Sequence, residues 1–185
     1  MKPAPLPLLL SLGILLLVTM TGGCTSEPGA PAAPSGAGIE DITQEAPDEA
    51  IDLAEALAEL DMLAAEGMEN ITDMTIHTIT GTGVTADGTA PTWIMGVRKE
   101  GETHMLVYSG NGWSGVAWTA PLPEGEIDPE TVLMPADLYR IQKEEIGGLG
   151  ETTDLTLEEG VYTVRGHATR PGTLRFDALT GEVLQ

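Results

Sequence analysis

The chain has 185 residues, with 29 acidic against 8 basic side chains and a formal net charge of −21 at pH 7. Such a surface repels nucleic acid and anionic lipid headgroups, so DNA and RNA are excluded as partners. There is one cysteine, Cys24, so no disulfide within the chain can hold the fold.

Residues 6–18 are almost wholly apolar and follow Lys2. Thr21-Gly22-Gly23-Cys24 comes next. The apolar run falls short of the roughly 20 residues that a membrane-spanning helix needs. A short apolar core before small residues reads as a signal peptide over 1–23, ending in a lipobox-like tetrapeptide. The Cys24 thiol then takes a diacylglyceryl group and becomes the new N-terminus, a lipid anchor to the membrane. Thr21 stands where bacterial lipoboxes usually carry Leu. The alternative is an ordinary secretory signal or an uncleaved anchor, with Cys24 incidental. Either way the body of the chain is expected to be extracytoplasmic. All 29 acidic residues follow Cys24 and only Lys2 is lost on processing, so the mature chain has a net charge of −22.

Residues 24–47 are rich in Pro, Gly, Ala and Ser without an apolar period. They read as a flexible tether with an end-to-end distance of roughly 25–30 Å. A helix is expected over about 48–66, where Ala50, Leu53, Leu57, Leu60 and Ala64 recur at three and four residues. Asp48 is the expected cap, and Gly67 the expected stop. Asn70-Ile71-Thr72 is an N-glycosylation sequon, making Asn70 the candidate glycosylation site.

Strands are expected over 73–82, 92–99, 104–109 and 113–119, divided by Asp87-Gly88, Glu100-Gly101 and Gly110-Asn111-Gly112. The short connections require an antiparallel meander. A second helix is expected within 129–146, with Pro135 interrupting or starting its main part and Gly147-Gly148 ending it, and strands over 153–157, 161–167, 173–177 and 182–184. Arg170-Pro171-Gly172 is one of the turns between them. The expected fold class is α+β: two helix-plus-antiparallel-meander repeats, 48–120 and 121–185, with helices packed on one face of the sheet.

The stretch Thr173-Leu174-Arg175-Phe176-Asp177-Ala178-Leu179-Thr180-Gly181-Glu182-Val183-Leu184 resembles the closing hairpin of PepSY domains. There a strand ends in Asp-Ala, Thr-Gly follows, and a last strand begins. Asp87-Gly88-Thr89-Ala90-Pro91-Thr92-Trp93 is similar to the leading half of tandem PepSY-like extracellular proteins. The resemblance extends loosely over 48–185. It implies a small PepSY-like module, and peptidase inhibition or association with envelope enzymes, with no catalytic residues to carry over. In topology the arrangement is also similar to β-lactamase-inhibitor-protein folds.

No catalytic constellation emerges, and the chain reads as non-enzymatic, with no cofactor. His77, His104 and His167 are 27 and 63 residues apart, a spacing that does not read as a metal site. No Asp-x-Asp-x-Asp-Gly calcium loop or Gly-x-Ser-x-Gly elbow is present. Gly110-Asn111-Gly112 is a hairpin turn with no helix after it to cradle a phosphate. Trp93 and Tyr108 are expected in the core. Trp113 and Trp118, in a Gly-rich strand, are the candidate interface. The expected function is a membrane-anchored extracytoplasmic module that binds or inhibits an envelope protein. The alternative is a lipoprotein carrying a lipid or small ligand in a half-barrel cavity.

Overall fold

The computed structural model describes residues 49–167 and 172–185. The signal peptide, Cys24 and the tether lie outside the described residues, as do Arg170 and Pro171 of the expected turn.

Helix α1 is Leu53–Ala65. It buries Leu53, Ala56 and Leu60, one apolar stripe at three- and four-residue spacing. Asp52, not Asp48, caps it, accepting from the Ala54 amide at 2.9 Å. The later start has a visible cause. Ile51 is tied as an isolated bridge to Ala90 by amide-to-carbonyl bonds of 3.1 and 3.0 Å, so the chain must stay extended until residue 52. Gly67, at φ +71°, turns the chain out of the helix, as expected.

Four strands follow: β1 Thr75–Val84, β2 Thr92–Lys99, β3 Glu102–Ser109 and β4 Gly112–Ala117. The second helical stretch breaks at Gln142 into α2 Pro135–Ile141 and α3 Lys143–Gly147. The chain closes with β5 Thr153–Glu158, β6 Val161–Gly166, β7 Thr173–Asp177 and β8 Val183–Leu184.

The assembly overturns the expected two PepSY-like or β-lactamase-inhibitor-protein-like repeats with helices packed on one sheet face. All eight strands of the described residues form one antiparallel sheet in the order β4-β3-β2-β1-β5-β6-β7-β8. Strands hold 41% of the described residues and helices only 19%, too little helix to cover such a sheet. The physical reason is the seam. The leading strands β1 and β5 pair with each other, setting Ile79 opposite Leu157 and Gly81 opposite Leu155. Neither meander can then close a core of its own, and side chains on both sides of the seam enter a single core.

Trp93, Met95, Leu138, Tyr139, Leu155, Leu157, Tyr162 and Phe176 are buried there. Their polar atoms are matched: the Trp93 indole donates to Ile51 O at 3.1 Å, and the Tyr162 hydroxyl donates to Leu133 O. Trp93 and Tyr108 are both in this core, as expected. Gly81 faces Trp93 across β1 and β2, where a Cβ would stand 2.5 Å from the indole ring. Glycine is needed there by close approach rather than by backbone angle. A one-residue shift in the β1–β2 register at His77 turns its ring into a fully buried site.

Candidate functional site

The inner side of the first meander carries an open groove of about 330 Å³. Its origin is sequence-local. The β2–β3–β4 register places Val97 opposite His104, His104 opposite Ala117, and Leu106 opposite Gly115. These side chains share one face. On β4 that face carries Trp113 near the hairpin turn and then only Gly115 and Ala117, so nothing there fills the space beside Leu106 and His104. Leu60 of α1, with Ile71 and Met74 from the chain between α1 and β1, forms the facing wall. The floor is thus apolar.

The rim is charged. Glu69, Glu100 and Glu102 line it, with Lys99 as the one cation among the lining residues. Glu100 and Gly101 take φ +52° and +84° in the two-residue turn closed by Lys99 opposite Glu102. His104 Nε2 lies 3.8 Å from Glu102 Oε2, on the same rim. Glu59 of α1 extends the acidity toward the start of β4, since its Oε1 stands 2.9 Å from where a Gly112 Cβ would be.

Of the sequence-predicted sites, Asn70 is exposed on this rim, and its side-chain oxygen accepts from the Thr72 amide at 3.0 Å. Cys24 is outside the described residues. Trp113 and Trp118 are not brought together, because five residues along a strand reverse the face. Trp113 is half-buried. Its indole donates to Ala56 O at 2.7 Å and meets Tyr108 edge-to-face at 5.4 Å, so it latches β4 to α1. Trp118 is 43% exposed on the opposite face, near Val116 at 54%.

The three histidines stay apart. The carbonyl of Gly125 can only accept, so His77 Nδ1 carries a proton and donates to it at 3.1 Å. His77 Nε2 lies 3.0 Å from Thr75 Oγ1. His167 sits 3.0 Å from Asp154, whose other oxygen accepts from the Gly83 amide at 3.1 Å. Among the described residues no group of three or more His, Cys, Asp or Glu side chains is placed to hold a metal ion.

Two phenols are strongly perturbed, but they serve the core. Burial pushes Tyr139 up to about 12; the Thr153 hydroxyl bonded to it opposes this and the Asp154 charge adds to it. Burial alone raises Tyr162 further. In the closing hairpin, Asp177 is held below the usual carboxylate range by bonds from the Thr180 amide and hydroxyl and the Leu179 amide.

Sequence reasoning missed the groove, although a signal existed. Residues 103–123 contain no Asp, Glu, Lys or Arg, in a chain where one residue in five is charged. That interval covers β4 and nearly all of β3. Comparison of the chain with protein-family models, with curated proteins and with solved structures finds no match.

Proposed function

We propose that the chain is a membrane-anchored extracytoplasmic lipoprotein whose folded part binds or restrains an envelope protein without catalysing a reaction. The observation that carries this reading is the open groove beside β4, apolar below and acidic above. An apolar floor with a charged rim is the composition of a protein-recognition surface. The tight packing of Trp93, Tyr139, Tyr162 and Phe176 on the sheet supports a surface that binds over a cavity that carries. The apolar run ending at Cys24, and the tether after it, would hold this surface within reach of the membrane.

The reading is tested in the cell envelope. A photo-crosslinking residue placed at Ile71 should capture a defined protein in stoichiometric yield. The same residue at Leu179, in the turn between β7 and β8, should not. Cys24→Ala should release the protein from the membrane fraction and abolish lipid labelling. Capture at neither position, or a co-purifying lipid mass in native mass spectrometry, overturns the binding reading.

A further inference from the structure

β4 ends the sheet, and among the described residues no strand lies on its outer side. Its backbone there is legible. The Trp118 amide donates to Thr103 O at 3.1 Å, continuing the β3–β4 ladder by one pair and setting its parity. In an antiparallel pair, alternate residues bond across and the others turn their N–H and C=O outward. Ser114 and Val116 are in phase with Trp118, so Gly115 and Ala117 present both backbone groups away from β3. Both residues are exposed.

An open edge invites another strand, and sheets normally blunt it with charge, proline, a bulge or shortness. The two edges of this sheet are treated differently. β8, at the far edge, has two residues. β4 has six, pairs with β3 without a register shift, and lies inside the charge-free interval 103–123. The first proline after it is Pro121, beyond the strand. On the inner face of β4, Gly115 and Ala117 are too small to block the side chains of a neighbouring strand. Those side chains would lean across them into the groove.

We infer that an extended segment of a protein partner adds to β4 as a ninth strand, with alternate apolar and basic side chains. The inference rests on the binding reading above and states how the partner is held. Backbone bonds from Gly115 and Ala117 supply the pairing, and the groove selects the side chains. Charge complementarity favours the basic residues, which alternate to the face away from the groove, because the chain carries a formal net charge of −21. It also disfavours a second copy of this chain, which would bring a further net charge of −21 to the same edge.

The test uses the full mature chain and two synthetic peptides, one alternating Val with Lys and the other alternating Val with Glu. Amide hydrogen exchange is read by NMR. The Val–Lys peptide should slow exchange at Gly115 and Ala117 several-fold, and the Val–Glu peptide should not. Ala117→Pro removes an outward N–H without removing a bond to β3. It should weaken Val–Lys binding about tenfold, the loss expected for one backbone hydrogen bond. If that variant does not fold, the exchange measurement on the natural chain decides alone. Equal protection by both peptides, protection elsewhere only, or none overturns the inference. So does a dimer that Ala117→Pro dissociates, which would make the occupant a second copy. A partner crosslinked at Ile71 with no protection at β4 overturns strand addition but leaves the binding reading standing. No partner at Ile71 removes the binding reading itself.

Discussion

Trp113 shows how one side chain can be assigned differently by pattern and by contact. In the sequence it is an aromatic in a Gly-rich strand, and so an interface candidate. In the fold its indole bonds Ala56 O and packs on Tyr108. Trp113→Ala should therefore cost about 2–3 kcal/mol, somewhat below the loss of a fully buried Trp. Trp113→Phe, which loses chiefly the hydrogen bond, should cost about 1 kcal/mol. Denaturant unfolding of the two variants checks this, and unchanged stability for Trp113→Ala would show that the latch contributes nothing.

The buried phenols give a pH dependence of definite sign. Tyr139 ionises near 10 in an exposed state and at about 12 when folded. The folded chain then holds a proton that the unfolded chain has released, so this stability is present below pH 10. It is lost as pH rises from 10 through about 12. Tyr162, raised further by burial, extends the loss to higher pH. Melting temperature should therefore fall more steeply above pH 10 in the natural chain than in Tyr139→Phe or Tyr162→Phe. Equal slopes in all three would remove the phenols as the cause.

At the scale of elements, the sheet depends on where small residues sit. A Cβ at Gly81 would meet the Trp93 ring at 2.5 Å. That ring is fully buried and its nitrogen is tied to Ile51 O, so it cannot swing aside. A Cβ at Gly115 would meet only Leu106 Cδ2 at 3.6 Å, an ordinary contact. Gly81→Ala should destabilise by about 1–3 kcal/mol through overpacking, whereas Gly115→Ala should be neutral or slightly stabilising. Thermal melts of the pair check this, and equal effects would show that the Trp93 site can relax. The two glycines carry no distinguishing mark in sequence: each sits inside a strand, Gly81 between Thr80 and Thr82 and Gly115 between Ser114 and Val116. Only the partner strand separates a packing glycine from one that opens a groove.

For the whole molecule, the elements were largely legible because their signals are local. Period-two runs, Gly-containing turns and the Leu53–Leu60 spacing each act within a few residues. The helix start was misplaced because Ile51 bridges Ala90, a contact from outside the helix. The second helix starts at Pro135, inside the expected range, but its break at Gln142 was missed because it leaves no glycine or proline signal. The two-repeat architecture failed for a larger reason. Element order is the same whether two meanders stand apart or join, and only the β1–β5 register decides it.

By itself the sequence determined the strong negative charge, the absence of an intrachain disulfide, and the approximate positions of most strands. These follow from composition and from patterns of period two. The tertiary structure alone decided that the eight strands of the described residues make one sheet and that β4 lies at its edge. It also decided that Gly115 and Ala117 leave a groove, that Trp113 is a latch, and that His77, His104 and His167 never meet. Each of these depends on which strand lies beside which, and strand pairing is set by burial summed over the whole core rather than by any local run of residues.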